Sequence, residues 1–276
     1  MQLIADSGAT KTRWAWTDRA RGGMKTTLTR GLSPLFVSVE DMATVMRTVA
    51  ATAGRPVSEV HFYGTGCGDV ERCAHVAAAL GRVFPRAAVR VASDLLAAAR
   101  SLCGHAPGVA AILGTGMNTC RFDGEGIVDQ VASLGFALGD EGSGAYLGRE
   151  LLRAYFYRQL PPELARPVEG HLPGGRSELL TAVYQSDAPA AFLAKFTYQL
   201  AEHRAHPFVR ELLLTAFGRL ADRVLRSYPA KLPVHFTGSV ARVFAPELTE
   251  ALARRNRTVG RIVADPMPGL LGWHGT

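Results

Sequence analysis

The chain has 276 residues, which is enough for one large domain or two smaller lobes. Its hydrophobic content of 47% and charged content of 20% are typical of a globular protein, and no apolar run is long enough to span a bilayer. The net charge of +7 comes from arginines scattered along predicted helices, without a basic tail. We therefore expect neither a nucleic-acid partner nor a membrane partner.

The four cysteines are Cys67, Cys73, Cys103 and Cys120. They form no C-x-x-C pair and have no zinc-site spacing, and their apolar neighbours predict buried free thiols. Free thiols are typical of a reducing compartment, and the first predicted strand begins at residue 2, which leaves no room for a secretory leader. We therefore expect a cytoplasmic protein.

The chain opens with a strand that runs into a turn of small and hydroxylated residues, Asp6-Ser7-Gly8-Ala9-Thr10-Lys11-Thr12. Such a turn can leave backbone N–H groups pointing outward, and the hydroxyl and ammonium groups beside them suit the oxygens of a nucleotide polyphosphate. Asp6, at the end of the strand, is positioned to hold a hydrated Mg²⁺. The alternative is an ordinary glycine-containing hairpin, and these residues alone favour neither interpretation.

A similar segment recurs at an offset of 108 residues, so that Gly116 and Arg121 match Gly8 and Arg13. Here an apolar strand runs into Gly114-Thr115-Gly116 and continues as an outgoing strand. Two such units a domain's length apart predict two related lobes, residues 1–107 and 108–276, that clamp phosphates between their turns. The sequence leaves open whether the extreme C-terminus packs back on the first lobe.

Strands and helices alternate along the chain, which indicates α/β layers. In the first lobe the pattern predicts further strands near 26–28, 59–63 and 89–91, and helices near 40–53, 70–81 and 95–103. In the second it predicts strands at 109–113, 119–122, 127–131, 233–236 and 260–263 and helices ending at 157 and covering 177–184, 189–202 and 208–228. Residues 160–175, rich in Pro and Gly, are predicted to be a loop, and a short tail ends the chain.

Asp94 directly follows a predicted strand and opens an alanine-rich helix. Ligand crevices of α/β proteins form at this end of a strand. Asp94 could there take the proton from a substrate hydroxyl as that oxygen attacks a γ-phosphate. The alternative is that Asp94 only caps its helix, which is a common role of Asp.

Two further turns carry polar groups. Gly139-Asp140-Glu141-Gly142 places two acids where the chain enters a helix. Glu141 can be read as compensation of the helix dipole, whereas Asp140 could accept hydrogen bonds from a polyol, and the sequence alone favours neither interpretation. Thr237-Gly238-Ser239 follows a buried strand and lets another backbone approach closely. This suits a flat base or ribose, with a tight strand-to-helix turn as the alternative.

Four segments together resemble a known family: residues 6–12, Gly114-Thr115-Gly116, residues 138–143 and residues 237–241. Their order and spacing are similar to those of the N-acetylglucosamine kinase branch of the BadF/BadG/BcrA/BcrD ATPase family, within the superfamily of sugar kinases, actin and Hsp70. The resemblance implies an α/β fold with two ribonuclease-H-like, actin-like ATPase lobes and a central cleft for ATP. It also implies domain closure around a sugar and makes a homodimer an expectation.

The resemblance implies a role for each matching residue. Asp94 corresponds to the catalytic base that contacts the sugar 6-hydroxyl. The nucleotide contacts would be Asp6, Gly8, Thr10, Lys11, Thr12, Gly114, Thr115, Gly116, Gly238 and Ser239, with Mg²⁺ held by Asp6 through water. The sugar contacts would be Ser33, Asp94, Asn118, Gly135 and Asp140.

Three departures from the family pattern concern the sugar. Ser33 stands where related bacterial sequences often have Asn, Met117 where they have Ser, and Leu134 where they have Trp. We expect an ATP-dependent kinase that phosphorylates the 6-hydroxyl of an amino sugar, with N-acetylglucosamine as the first candidate. Glucosamine, N-acetylmuramic acid and N-acetylmannosamine stay open as substrates.

Two other functions stay open from the sequence. The family includes ATPase activators of radical dehydratases, which bridge two subunits through an iron–sulfur cluster, but the four cysteines do not match that arrangement. The other is a non-catalytic sugar sensor. Regulators of this fold usually carry a DNA-binding extension, for which we expect no room before the first strand.

Overall fold

The structure is a computed structural model that describes residues 1–8, 10–18 and 23–275. It divides into two compact units, of which one comprises Met1–His105 with Pro266–Thr276 and the other Ala106–Asp265. Each unit contains one five-stranded sheet and its own hydrophobic core. Among the described residues, no helix combines the length and apolar character that a membrane span requires.

The elements alternate between strands and helices in both units. Residues 1–105 contain β1 (Gln2–Ser7), β2 (Lys11–Asp18), β3 (Gly23–Arg30), α1 (Val39–Ala53), β4 (Glu59–Gly64), α2 (Val70–Val83), β5 (Ala88–Ser93) and α3 (Asp94–Cys103). The second unit contains β6 (Gly108–Leu113), β7 (Met117–Phe122), β8 (Ile127–Asp129), α4 (Gly135–Leu138), α5 (Gly144–Phe156), α6 (Pro162–His171), α7 (Gly175–Tyr184), α8 (Pro189–Lys195), α9 (Thr197–Glu202), α10 (Pro207–Arg223), a 3₁₀ helix (Leu225–Ser227), β9 (Val234–Thr237), α11 (Ser239–Val243), α12 (Ala245–Ala253) and β10 (Val259–Val263). The chain then returns to the first unit as α13 (Met267–Gly275).

The first sheet has the strand order β3-β2-β1-β4-β5. Strands β1, β2 and β3 form an antiparallel meander, whereas β4 and β5 run parallel to β1. The register places Ser7, Gly64 and Ser93 side by side at the ends of the three parallel strands. The residues that follow these three therefore gather at one edge of the sheet, where ligands bind in open α/β folds.

The second sheet repeats this topology with the order β10-β9-β6-β7-β8. The strands recur at an offset of 106, since β6 begins at 108 and β1 at 2, and β7 begins at 117 and β2 at 11. The offset of 108 predicted from the matching glycines is therefore two residues too large. Gly8 corresponds to Gly114, because each directly follows the first strand of its sheet. This repeat confirms the predicted α/β fold built from two related lobes.

Local sequence signals account for the helices that pack on the first sheet. Ser38 caps α1, as its spacing from Asp41 predicts, by accepting a hydrogen bond from the Asp41 backbone N–H. The helix ends at Gly54, which has a φ of 65°. Trp14 and Phe62 are fully buried beneath the helices, with their rings edge to face and the centroids 5.9 Å apart.

Three predicted segments of the second unit are wrong in detail. Residues 160–175 contain α6 rather than a loop, because Pro162 lies in the first turn, where its missing N–H costs nothing, and Leu164 and Val168 are buried. The predicted helix over 189–202 is divided at Phe196 into α8 and α9. The predicted helix over 208–228 ends at Arg223, and a 3₁₀ turn follows.

The predicted short C-terminal tail forms a helix, α13. Met267 and Leu270 are buried in one cluster with Ile4 and Tyr63 of the first sheet. At Gly269 a Cβ atom would overlap the backbone and hydroxyl of Ser101 in α3. Glycine at this position therefore permits the close crossing of α13 and α3.

Candidate functional site

Thr65 connects the first glycine turn with Asp94. The Thr65 backbone N–H donates to the Ser7 carbonyl at 2.8 Å, and the Thr65 hydroxyl donates to Oδ2 of Asp94 at 2.6 Å. Both contacts lie at the edge where β1, β4 and β5 end. The sequence pattern predicts roles for Asp94 and the first turn but none for Thr65.

Asp94 is the first residue of α3, and the N-cap of that helix is Ser93, whose hydroxyl accepts from the Leu96 backbone N–H. Helix capping alone therefore does not explain the position of Asp94. Burial raises the pKa of the Asp94 carboxyl, whereas the Thr65 hydroxyl and the N–H groups of Asp94 and Leu95 lower this pKa in part. A carboxylate with a raised pKa is a stronger proton acceptor, and a base is what the sequence predicts here.

The first turn exposes Thr10 and Lys11 and buries Thr12. The Gly8 backbone N–H donates to the Lys11 carbonyl at 2.9 Å, so this N–H closes the turn instead of pointing outward. Thr12 is fully buried, and its hydroxyl lies 2.7 Å from Ser7 Oγ and donates to the Arg30 carbonyl. The hydroxyl of Thr12 therefore stabilises the turn from its buried side.

Ser33 lies against the glycine turn that contains Thr65. Its side chain is buried, and its carbonyl accepts hydrogen bonds from the backbone of Phe36 and Val37. A Cβ atom on Gly66, whose φ is 92°, would lie 2.9 Å from Ser33 Oγ. Ser33 and Asp94 thus both lie beside one turn, Ser33 next to Gly66 and Asp94 next to Thr65.

Asp6 lies one residue before the end of β1 and pairs in register with Arg13 of β2. No group of three or more His, Cys, Asp or Glu among the described residues could hold a metal ion alone. A nucleotide-bound Mg²⁺ needs only one or two carboxylates, because phosphates and water supply its other ligands. The half-buried carboxylate of Asp6 therefore fits a water-mediated contact with such an ion.

The second turn, Gly114–Gly116, abuts the start of α5. The carbonyls of Gly114 and Thr115 accept hydrogen bonds from the N–H groups of Gly144 and Ala145, at 2.8 and 3.0 Å. These bonds satisfy two of the N–H groups that a helix leaves unpaired at its N-terminus. The side chain of Thr115 is exposed.

Asp140 contacts the second turn with its carboxylate. A Cβ atom on Gly116 would lie 3.0 Å from Asp140 Oδ2, and the Ser133 hydroxyl donates to Oδ1 at 3.0 Å. The backbone of Asp140 has a φ of 58°, and burial raises the pKa of its carboxyl. Glu141, by contrast, forms an ion pair with Arg223 at 3.1 Å.

The other two predicted sugar contacts in the second unit are Asn118 and Gly135. Asn118 is the second residue of β7, and its Oδ1 accepts from the Thr119 N–H and the Gln130 side chain at 3.0 and 3.1 Å. Gly135 begins α4 with a φ of 74°. Short segments thus link Asn118 to the second turn and Gly135 to Asp140.

Gly238 brings the end of β9 against the second turn. Its φ is 111°, and a Cβ atom here would overlap the Leu113 carbonyl. A cavity of about 240 Å³ is lined by Gly114, Thr115 and Ser239, together with residues of α8 and α9. Lys195 and Tyr198 also line this cavity. The sequence pattern does not predict a role for them, although they stand three residues apart at the end of an alanine-rich segment.

The sequence matches no family model, and a search of curated proteins finds no match. A crystal structure from Porphyromonas gingivalis, described as a candidate N-acetylglucosamine kinase, is 35% identical, with a TM-score of 0.91 over 99% of this chain and 98% of that one. The chain belongs to the N-acetylglucosamine kinase-like family. This membership confirms the resemblance predicted from the four sequence segments.

More distant structures share the fold of this kinase-like protein. A candidate N-acetylglucosamine kinase from Chromobacterium violaceum is 21% identical, with a TM-score of 0.69 over 99% of this chain and 98% of that one. A ROK hexokinase from Thermus thermophilus is 15% identical, with a TM-score of 0.58 over 98% and 96%. At these identities the comparisons establish the actin-like ATPase fold.

Proposed function

We propose that this protein is an ATP-dependent kinase that phosphorylates the 6-hydroxyl of N-acetylglucosamine. The P. gingivalis relative supports the choice of sugar. The observation that carries the proposal is the pair of hydrogen bonds by which Thr65 joins Asp94 to the first turn. A proton acceptor is thereby held beside a turn of the type that binds phosphates.

In the proposed reaction, Asp94 accepts the proton of the sugar 6-hydroxyl. The electron pair left on that sugar oxygen forms a bond to the γ-phosphorus. The bond from this phosphorus to the β,γ-bridging oxygen breaks at the same time, and ADP leaves. The raised pKa of Asp94 strengthens it as a base, and the Thr65 hydrogen bond fixes its orientation. Mg²⁺ bound to the phosphates, with Asp6 as a water-mediated ligand, would neutralise charge that develops on the leaving ADP.

The proposed nucleotide contacts come from both turns and from Gly238 and Ser239. In the first turn the exposed Thr10 and Lys11 side chains contact phosphate oxygens, and Thr12 contributes by fixing Ser7. In the second unit, the cavity lined by Gly114, Thr115 and Ser239 accepts the adenosine end of ATP. Gly8, Gly116 and Gly238 keep side-chain atoms away from the nucleotide.

The proposed sugar contacts are Ser33, Asn118, Gly135 and Asp140, in addition to Asp94. The Asp140 carboxylate suits a pair of sugar hydroxyls, because each of its oxygens can accept more than one hydrogen bond. Glucosamine, N-acetylmuramic acid and N-acetylmannosamine are the competing substrates. The departures at Ser33, Met117 and Leu134 lie in or beside this set, and they are where a different preference would originate.

The decisive experiment is ADP release measured with each of these four sugars and with glucose. We expect N-acetylglucosamine to give the highest kcat/KM and phosphate to appear on O6 by NMR. Asp94→Asn should reduce kcat by about 10²–10⁴-fold while ATP binding is retained. Asp187→Asn, a change at an exposed position, is the matched control and should leave kcat unchanged.

Two outcomes would replace this proposal. Sugar binding without ADP release, in protein that binds ATP, would indicate a non-catalytic sensor. An iron–sulfur absorption band would indicate a dehydratase activator, although Cys67, Cys103 and Cys120 are buried. Equilibrium sedimentation tests the proposed homodimer, and cell fractionation tests the proposed cytoplasmic location.

A further inference from the structure

An open groove of about 820 Å³ lies between α4, α5 and α7 of the second unit. Its walls are mainly apolar and include Leu152, Phe156, Leu179 and Val183, with Leu193 of α8 also lining it. This volume lies within the range of about 300–1,000 Å³ that is typical of small-molecule sites. None of the residues assigned above to the nucleotide or the sugar borders the groove. Phe136 and Ala137, which follow Gly135 in α4, do border it.

The charged residues of the groove are all cationic. Arg149, Arg153 and Arg176 line it, and no acidic side chain is among the described residues that do so. Arg153 and Arg176 are exposed, and Arg153 lies 3.0 Å from Glu150. Guanidinium groups beside an apolar trough complement an anionic head group attached to an apolar body.

The charge of the groove also opposes a second copy of this chain as its occupant. A two-fold contact through this face would bring the three arginines of both copies into one interface, because an isologous interface pairs a patch with itself. Like charges brought together in this way cost several kcal/mol. A negatively charged ligand meets no such cost.

Arg149 connects the groove to the segment that leads to Asp140. Its Nη1 donates to the carbonyl of Phe136 at 2.5 Å and lies 3.4 Å from that of Ala137, both in α4. The chain continues from α4 through Gly139 to Asp140. An anion that attracts the Arg149 guanidinium competes with these carbonyls and so loosens α4.

We propose that this groove binds an amphipathic anion, with its apolar body between α5 and α7 and a phosphate or carboxylate head among Arg149, Arg153 and Arg176. Through Arg149, the bound anion loosens α4 and the approach to Asp140. The exposed Tyr157 and Tyr184, which also line the groove, add aromatic contact area at its rim.

The first test is a fluorescence titration with 1-anilinonaphthalene-8-sulfonate, an aromatic anion, with dodecyl phosphate and dodecyl maltoside as competitors. We expect Arg153→Gln/Arg176→Gln to weaken probe binding at least tenfold. Arg166→Gln, an exposed arginine of α6 outside the groove, is the matched control and should bind as wild type. Dodecyl phosphate should displace the probe at a much lower concentration than the neutral maltoside.

The second test follows hydrogen–deuterium exchange in residues 135–140. Dodecyl phosphate should speed exchange there at least threefold in wild type and not in the double variant. Equal competition by the maltoside, unchanged binding by the double variant or unchanged exchange in wild type would overturn the proposal. So would sedimentation that shows a dimer from which the probe is excluded, because a second copy would then be the occupant. None of these readouts requires kinase activity.

Discussion

The hydroxyl of Thr65 and the carboxylate of Asp94 form a 2.6 Å hydrogen bond between the ends of two neighbouring parallel strands. The bond restricts the Asp94 side chain, and it also favours the ionised form, because a hydroxyl that donates to a carboxylate stabilises the negative charge. Thr65 therefore acts on the proposed reaction through Asp94 and is a positioning residue.

We predict that Thr65→Val shifts the acidic limb of the kcat/KM profile to higher pH. Burial already raises the pKa of Asp94, and the Thr65 hydrogen bond opposes that rise, so its loss raises the pKa further. A larger fraction of Asp94 is then protonated and unable to act as a base at a given acidic pH. Thr65→Ser retains the hydroxyl and should keep the wild-type profile. Overlapping profiles for Thr65→Val and wild type would contradict this role.

The sequence could predict the neighbourhood of Asp94 but not its partner. A carboxylate that directly follows a strand must lie at the carboxyl edge of a parallel sheet, and this rule needs no coordinates. The contribution of Thr65 depends on β4 lying between β1 and β5, which is a matter of strand order. Thr12 shows the same limit, because only the pairing of Ser7 with Thr12 reveals that the two hydroxyls meet inside the turn.

The strands were easier to predict than the connections between helices. The sequence pattern marked all ten strands that the structure describes, and the extent of β3 was underestimated most, because this strand lies at an exposed edge. In residues 160–175, the prolines and glycines concealed α6 because the burial of Leu164 and Val168, which stabilises that helix, is a tertiary effect.

Gly238 gives a test of the contact between β9 and the second turn. Gly238→Ala should destabilise the second unit by about 2–4 kcal/mol, because Ala disfavours a φ of 111° and its methyl group would overlap the Leu113 carbonyl. The measurement is urea unfolding followed by circular dichroism. Gly170→Ala is the matched control, because this exposed helical glycine has no atom within 4 Å of a built Cβ, and we expect a gain of about 0.5–1 kcal/mol. Equal stability of the two variants would contradict the close approach.

An ion pair that holds α12 gives a second stability prediction. Nη2 of Arg204 donates to both carboxylate oxygens of Glu247 at 3.0 Å, and only 7% of Glu247 is exposed. Arg204→Ala leaves this carboxylate buried without its partner and should cost about 1–3 kcal/mol in urea unfolding, less than for a fully buried pair because Arg204 is partly exposed. Arg210→Ala removes the more exposed pair with Glu250 and should leave the unfolding midpoint within error of wild type.

The docking of α13 should depend on pH through His274. The Arg100 guanidinium donates to the Tyr63 hydroxyl, which lies 2.8 Å from His274 Nε2, and the His274 ring packs on that of His61 at 3.8 Å. Burial, with the nearby charges of His61, Arg100 and Arg90, lowers the pKa of His274 from 6.5 to about 3. As the pH falls from about 6.5 towards 3, the unfolded chain binds a proton that the folded chain does not, so stability is lost across this window.

His274→Gln cannot take up that proton, so we expect its thermal midpoint to fall less than that of wild type between pH 7 and pH 4.5 in calorimetry. The variant should be the less stable protein at pH 7, because it loses the packing of the imidazole on His61, and the difference should narrow as the pH falls. The other groups that titrate are common to both proteins, so their contributions largely cancel in the comparison. Parallel curves across this range would show that the buried imidazole does not resist protonation in the folded chain.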